Sequence, residues 1–288
     1  MKMSAQILCV CLLASSGGRA RSQEPEKIKD RPQAEKAAWL HKNYLGDASE
    51  YELFLDQSKR KKLELRPEAA MRWRSSEDFD GEVYVWTHQG AAAVVGCIFS
   101  GPQGVGRRAV FHEFHSLSPE PLHAAGGGAS GWRAQEPGIK LEPLPDAPEP
   151  AANRALRLAQ MREAARRFTA HVDRDDGKSE MRLLPQPIYR YEISDETSPV
   201  VDGAVFAFVW TAGTDPELML VIEARRTSQG VRWQYAPARF TNREAWLQHQ
   251  GKEVWRASRA EQGIFDGVTT KRYGVFSVKT IAETDETR

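Results

Sequence analysis

The sequence predicts an α+β fold of two related units, each a helix packed on an antiparallel β-meander. A helical stripe of apolar residues opens each half of the 288-residue chain, consecutive strand patterns follow it, and a Pro/Gly-rich segment separates the halves. Runs of consecutive strands argue against a doubly wound parallel sheet, in which helices and strands alternate. With 41% hydrophobic residues, the chain can bury the core of one large domain or of two ordinary ones.

The chain begins with the pattern of a secretory signal peptide over residues 1–22. Lys2 precedes a short apolar run at 7–14, and small residues permit cleavage after Ala20 or after Ser22. The run is far shorter than the ~20 apolar residues that a membrane-spanning helix needs. We therefore expect an exported protein, periplasmic or secreted, with no stable membrane anchor once the leader is removed.

The rest of the chain divides into three predicted parts. The first α+β unit spans 23–117, the Pro/Gly-rich linker spans 118–151, and the second unit with a C-terminal extension spans 152–288. Proline and glycine disfavour regular structure in the linker. Trp132 is expected to pack back onto one unit, because a tryptophan alone in a polar linker exposes a large apolar surface. Whether the two units pack together is left open by the sequence.

Each unit is predicted to start with a helix. In the second unit the stripe consists of Leu158, Met161, Ala165, Phe168 and Val172. A shift of 117 residues gives the corresponding stripe of the first unit, which is His41, Tyr44, Ala48, Tyr51 and Leu55. Gly46 interrupts this first stripe, so that the helix can end early there and a strand can follow over 51–55.

A hairpin and a third strand follow each helix. Asp80-Gly81 precedes EVYVWT and Asp202-Gly203 precedes AVFAFVWT, and the runs AAAVVGCIF and LMLVIEA come after glycine turns. Third strands are predicted at 108–117 and 231–241, then a short helix at Trp246 and a final strand at 273–281. The recurrence predicts an internal duplication, and independent origin of similar strand patterns is the alternative.

Charge and cysteine content exclude several partners and cross-links. The 40 basic and 39 acidic residues give a formal net charge of +1, so that no overall field attracts nucleic acid or an anionic membrane surface. Removal of the leader leaves Cys97 alone, which cannot form an internal disulfide. Its apolar neighbours predict a buried thiol without catalytic function.

The most suggestive cluster of polar residues is His112-Glu113-Phe114-His115. Zinc-binding helices carry histidines at i and i+4, whereas these lie at i and i+3 on a predicted strand, which sends them to opposite faces. We therefore predict no metal site. Glu113 and His115 share one face and form a candidate acid/base pair, to which His88 or His123 can be added.

Two arginines are candidate ligand-binding residues. Arg72 and Arg190 occupy equivalent places in the proposed repeat, each before an aromatic residue, and can bind a carboxylate or phosphate. The structural alternative is pairing with Asp80 or Asp202, or stacking on the neighbouring ring. No P-loop, dinucleotide fingerprint or nucleophile elbow occurs in the sequence, and no cofactor is predicted.

Five blocks of the sequence carry a resemblance to a known group of proteins. These are GEVYVWT, HEFHSLS, RLLPQPIYRY, DGAVFAFVWTAGTDPE and RWQYAPARF. They resemble a family of uncharacterised exported proteins from planctomycete bacteria. The resemblance implies export and a shared fold, and it brings no activity, ligand or catalytic set.

Three classes of function remain. The leading hypothesis is a non-enzymatic exported binding or interaction protein, because antiparallel aromatic strands offer faces and edges to an unknown protein partner. Within this class, a helix on a curved sheet can enclose a pocket for a small apolar ligand, as in an envelope carrier. The competing hypothesis is a hydrolase or metal-dependent enzyme that uses Glu113 and His115. An envelope structural protein is the third class, which the sequence does not separate from the first.

Overall fold

The computed structural model describes residues 33–125, 131–175, 177–211, 213–260 and 268–283, so that the predicted leader lies outside the described residues. The protein is mostly β, with 50% of the chain in strands and 12% in helices, and an antiparallel sheet curls into a half-barrel. The predicted α+β class with a helix for each unit is therefore wrong. Part of the helical pattern in the sequence belongs to strands.

The first half of the chain contains one helix and the long hairpins of the smaller sheet. Its elements are α1 (Gln33–Ser49), β1 (Glu52–Phe54), β2 (Glu64–Leu65), β3 (Met71–Arg74), β4 (Asp80–His88), β5 (Ala91–Pro102) and β6 (Arg107–Ser116). Three short strands follow in the predicted linker, and they are β7 (His123–Ala125), β8 (Gly131–Trp132) and β9 (Glu142–Pro143).

The second half contains the other described helix and most of the larger sheet. Its first elements are α2 (Arg154–Ala165), β10 (Phe168–Arg174), β11 (Gly177–Leu183), β12 (Tyr189–Arg190), β13 (Val200–Trp210) and β14 (Pro216–Thr227). The remaining strands are β15 (Gly230–Arg239), β16 (Ala245–His249), β17 (Lys252–Ala257), β18 (Val268–Thr269) and β19 (Tyr273–Ala282). The predicted hairpins, third strands and final strand are thus confirmed.

Two antiparallel sheets organise the molecule. The six-strand sheet has the order β19-β6-β5-β4-β2, with β3 also paired to β4. The nine-strand sheet has the order β17-β16-β10-β11-β13-β14-β15-β9, with β12 also paired to β13. The pairs β1-β7 and β8-β18 form two small sheets. The last strand, β19, therefore returns to the sheet of the first half.

The helix predicted for the second half extends too far in sequence. It begins after Asn153, whose side chain accepts hydrogen bonds from the backbone N–H groups of Ala155 and Leu156, and it ends at Ala165. Phe168 and Val172 then lie on β10, where alternate residues are buried. Spacings of 3 and 4 fit a helix, but alternation with period 2 gives Phe168 and Val172 one face of a strand as well.

Two other local predictions need correction. The first helix continues through Gly46 to Ser49, because Tyr44 and Ala48 are buried against the sheet on both sides of that glycine. The predicted Trp246 helix is wrong, since this residue lies on β16 between β10 and β17. Hydrogen bonding on both edges of β16 outweighs its local pattern.

Three cores are formed by the two sheets and the two helices. One core lies between α1 and the six-strand sheet, and one lies between α2 and the nine-strand sheet. The third joins the sheets face to face, with Val83 and Cys97 of the first half against Val205 and Met219 of the second. The two halves therefore pack together, and the predicted burial of Cys97 is confirmed.

The predicted linker is built into these cores. Trp132 is 2% exposed and stacks on Phe114 at 5.1 Å between ring centroids, which confirms that it packs back. Ile139 belongs to the core between the sheets, and Leu144 belongs to the core under α2. The segment thus contributes a side chain to each of the three cores.

Candidate functional site

Strand β6 carries the acid/base pair proposed from the sequence. Glu113 and His115 point toward the second sheet, whereas His112 points toward α1 and contacts Tyr51 and Asp47. The alternation of side chains along a strand produces this separation. The two histidines of the cluster therefore do not meet.

Glu113 lies in a cleft of about 360 Å³ between the sheets. The Tyr273 hydroxyl of β19 donates a hydrogen bond of 2.6 Å to its Oε1. Burial, together with the negative charges of Glu217 and Asp215, raises the pKa of Glu113 from 4.5 to about 8. The carboxyl group is therefore mostly protonated at neutral pH.

Glu217 faces the same cleft from the second sheet. Burial and the nearby Asp215 raise the pKa of Glu217 to about 7, although Arg174 Nη1 donates to it at 2.7 Å. The arrangement can therefore hold protons near neutral pH at two carboxyl groups. Sequence reasoning missed Glu217, Asp215 and Tyr273, because each is far from Glu113 along the chain.

His115 has a separate environment. Its Nδ1 lies 2.8 Å from the backbone oxygen of Ser116, which can only accept, so that Nδ1 carries a proton. Burial lowers the pKa of His115 to about 3, and the ring is neutral with an acceptor lone pair at Nε2. The partner of His115 is Ser116 and the partner of Glu113 is Tyr273, so that no proton relay links the proposed pair.

The other proposed histidines lie elsewhere. His88 ends β4 and pairs with Ala91 across the hairpin. His123 lies on β7 opposite Phe54 of β1. Neither residue lines the cleft that contains Glu113.

Arg72 and Arg190 have structural partners in the sheets. Arg72 Nε donates to Glu82 Oε1 at 2.8 Å, and Arg190 Nη2 donates to Asp202 Oδ2 at 2.8 Å. For Arg190 the carboxylate is the one expected from the sequence, whereas Arg72 pairs with Glu82 and not with Asp80. Both guanidinium groups thus have protein carboxylates as partners.

The described residues show neither a metal-ligand cluster nor a helix suited to span a membrane. Within the described ranges, no group of three or more His, Cys, Asp or Glu side chains is arranged to hold a metal ion. No helix among the described residues is long and apolar enough to cross a membrane.

An apolar cavity of about 370 Å³ lies beside α2. The helix forms one wall, the segment 144–151 forms the second, and strands β15 and β16 close the third. Its lining includes Leu144, Ala147, Leu156, Ala164, Trp233 and His249. Apolar walls around a small number of polar groups are typical of small-molecule sites.

Side-chain hydrogen bonds fix the proline-rich wall of this cavity. Gln160 of α2 accepts from the Ala151 N–H at 2.9 Å and donates to the Glu149 carbonyl oxygen at 2.9 Å. Asn153 caps the helix immediately after this wall. The cavity thus has an ordered boundary on the side where proline blocks regular hydrogen bonding.

Four polar or charged side chains line the cavity, and they are Gln160, Glu163, Arg167 and His249. His249 is 6% exposed, and its Nε2 has no hydrogen-bond partner among the described residues. Burial and the nearby Arg167 cation lower the pKa of His249, which keeps the ring neutral at neutral pH. Arg167 lines the cavity too. An amphiphilic ligand can therefore place its polar group near His249 and Arg167.

Leu156 marks the outer side of the cavity. It is 59% exposed, whereas large apolar side chains in the described residues are mostly buried. The sequence analysis did not single out Leu156, although its place outside the apolar stripe of α2 is a signal that points to this site. The other walls come from residues separated by up to about 100 positions, which no local pattern connects.

Comparisons with protein-family models, with curated proteins and with solved structures gave no match to this chain. The geometry of the clefts and cavities is therefore the basis for assigning a function.

Proposed function

We propose that this protein binds a small amphiphile in the cavity beside α2. The apolar body of the ligand occupies the space between Leu144, Ala164 and Trp233, and its polar group lies near His249 and Arg167. The observation that supports this most strongly is the mostly apolar lining of a 370 Å³ cavity that also holds the buried His249 ring, whose Nε2 has no partner among the described residues.

The unpaired nitrogen of His249 favours a ligand with a polar group over a pure hydrocarbon. A buried nitrogen without a partner costs on the order of 1–3 kcal/mol, which a ligand oxygen can recover. Arg167 adds a positive charge, which the exposed carboxylate of Glu163 at 3.9 Å offsets only in part, so that a ligand carboxylate suits the region of Arg167 and His249 best. We therefore infer a medium-length carboxylic acid, or a ligand of the same chemistry, as the occupant.

This proposal deepens the carrier hypothesis and departs from the enzyme hypothesis. Glu113 and His115 have separate partners, and the cavity lies on the opposite side of the nine-strand sheet from them. The leader-like pattern at 1–22 supports a place outside the cytoplasm. Fractionation of cells with antibody detection, and mass determination of the mature N-terminus, test that part of the proposal.

Titration of the purified protein with straight-chain carboxylic acids of increasing length tests binding. Burial of each added methylene group contributes ~0.8 kcal/mol to the binding free energy, so that affinity should rise about fourfold per carbon until the cavity is full. Tryptophan fluorescence follows binding, because Trp233 lines the cavity. If Trp233→Phe loses the fluorescence change but calorimetry shows that its affinity is retained, the change comes from the Trp233 wall of the cavity.

Two variants, with Ala155→Phe as their control, test whether the ligand binds in this cavity. Ala164→Phe should abolish binding by filling the space, whereas Ala155→Phe, on the exposed part of α2 outside the cavity, should leave it unchanged. His249→Leu should weaken a carboxylic acid about tenfold and leave the matched hydrocarbon unaffected. Wild-type affinity in Ala164→Phe, or affinity independent of chain length, would contradict the proposal.

A further inference from the structure

A second cleft, of about 820 Å³, lies where the two sheets meet at their edges. It is bounded by β15, β17 and β19, by the linker around Ile139, and by His115 of β6. Both halves of the chain and the linker contribute walls. The apolar cavity beside α2 shares no lining residue with this cleft.

The cleft is rich in cations. Six basic side chains line it, and they are Lys140, Arg239, Arg256, Arg259, Lys271 and Arg272, whereas Glu136 is the acidic residue of the lining. Ion pairs involve four of these cations: Arg272 with Glu136, Arg256 with Glu244 and Glu253, Lys140 with Glu142, and Arg259 with Asp175. Four of these five carboxylates lie outside the lining, so that the wall of the cleft itself carries mainly positive charge.

Arg239 takes part in none of these ion pairs. Its nitrogens donate to the backbone oxygens of Thr241, Ser258 and Arg243 at 2.8–3.0 Å, and its guanidinium lies 4.9 Å from the Tyr273 ring centroid. Among the described residues it forms no ion pair with a carboxylate. Three donated hydrogen bonds leave two of the five guanidinium N–H groups for a ligand. The group is thus a rigid, partly desolvated cation in the wall of the cleft.

His115 adds a different preference to the same wall. It is 2% exposed and lines the cleft, and its Nδ1–H is used by the Ser116 carbonyl oxygen. Nε2 is the acceptor atom, and no protein donor reaches it among the described residues. A ligand hydroxyl group is the natural donor for such a nitrogen. Half-buried Trp255 supplies an apolar face nearby.

We propose that this cleft binds an acidic sugar, that is, a carbohydrate with carboxylate or sulfate groups. Arg239 and Arg259 donate hydrogen bonds to the oxyanions. His115 Nε2 accepts a hydrogen bond from a sugar hydroxyl group, and Trp255 packs on the apolar face of a sugar ring. A simple inorganic anion satisfies only the first of these contacts. A neutral sugar satisfies only the other two.

Calorimetric titration of the full protein tests the proposal with four probes: a galacturonic acid trimer, a sulfated trisaccharide, a neutral galactose trimer and inorganic phosphate. We expect one of the acidic trisaccharides to bind at least tenfold more tightly than the neutral one and than phosphate, with affinity that falls as salt is added. The better of the two acidic probes identifies the preferred oxyanion. Equal binding of the neutral sugar, or no binding of either acidic probe, overturns the proposal.

Arginine variants locate the ligand. Arg239→Gln should weaken binding of the acidic trisaccharide about tenfold, because a charge-assisted hydrogen bond is lost. Because Arg239 donates to three backbone carbonyl groups, its replacement can also disturb the fold. Arg259→Gln provides a second variant, since the Arg259 side chain is 66% exposed and pairs with Asp175 at 3.6 Å. This variant should fold normally and weaken binding about threefold. Arg182→Gln, an exposed arginine on β11 outside the cleft, is the matched control. An equal loss in Arg182→Gln overturns the assignment to this cleft.

Discussion

The two halves of the molecule place a helix on a sheet in different ways, since the space under α1 is filled and the space beside α2 contains a cavity. Under α1, Phe114 contacts the rings of Tyr51, Trp86 and Trp132 at centroid distances of 4.6, 5.5 and 5.1 Å. Beside α2, about 370 Å³ remains open. A helix packed on a sheet therefore gives a filled core when aromatic rings occupy the space between them, and a cavity when alanine and proline line that space.

Other features are shared by the halves. Trp73 lies over Gly81 and Tyr191 lies over Gly203, and at both glycines a Cβ would overlap the ring. Each helix also reaches a buried strand carboxylate, through Lys36 to Asp80 in the first half and through Arg157 to Asp202 in the second. These are parallels in local packing, and the internal duplication stays a prediction from the sequence.

The largest expected difference between the halves concerns their buried arginines. Arg108 is 0% exposed and donates to Asp78, Asp80 and Glu283. Arg108→Met should lower the free energy of unfolding by about 4 kcal/mol, because buried Glu283 loses its cation among the described residues and the buried oxygens of Ser100 lose their donor, although Asp80 keeps Lys36 and Arg74. Urea denaturation followed by tryptophan fluorescence measures the loss.

The matched variant in the second half is Arg157→Met. Here Asp202 keeps Arg190 as a partner, so that the expected loss is only about 1–2 kcal/mol. Equal losses in the two variants would show that the halves do not differ in this respect.

A smaller effect tests the contrast between the filled and the open core directly. Ala48→Leu adds volume to a packed core and should destabilise the protein by about 2 kcal/mol. Ala164→Leu adds the same volume to the cavity wall and should raise the free energy of unfolding by up to about 1 kcal/mol. Destabilisation of similar size at both positions would mean that the cavity is closed in solution.

The pH dependence of the free energy of unfolding tests the contact between the halves at Glu113, whose pKa is raised by burial and by Glu217 and Asp215 of the second half. Its pKa of about 8 lies above the ordinary 4.5, so that the folded state retains a proton that the unfolded state releases, and stability is lost as pH rises toward 8. His115, with its pKa lowered to about 3, acts in the opposite direction only below pH 6.5. The window from pH 7 to 8 therefore excludes His115 and contains the titration of Glu113 together with the upper part of that of Glu217, so that the Glu113 contribution is the difference between wild type and variant.

Glu113→Gln should flatten the fall in stability across this window by at most about 1.4 kcal/mol per pH unit. Urea denaturation at closely spaced pH values provides the measurement. Glu120→Gln removes an exposed carboxylate and should retain the profile of the wild type. An unchanged slope in Glu113→Gln would show that this carboxyl group ionises normally in the folded protein.

The long hairpins could be predicted from the sequence because their signals are local. Asp80-Gly81, Asp202-Gly203 and the alternating runs after them lie within a few residues of one another. The helix of the second half was extended too far, since Phe168 and Val172 satisfy the helical and the strand period together. Trp246 became a strand through pairing with neighbours on both sides.

The candidate sites could not be predicted because their parts are distant in sequence. Tyr273 reaches Glu113 across 160 positions, and the cations of the second cleft are spread from Lys140 to Arg272. A net charge of +1 averages over such clusters. A cavity is a space between side chains, and residue types carry no direct record of it.

The return of β19 to the first sheet has a consequence for how the chain is made. During synthesis from the N-terminus, the free edge of β6 must wait for about 160 further residues before its neighbour is available. An unpaired strand edge is a template for association with other chains throughout that delay. The smaller sheet is therefore begun early and finished last, and one edge of β6 stays unpaired until β19 has been synthesised.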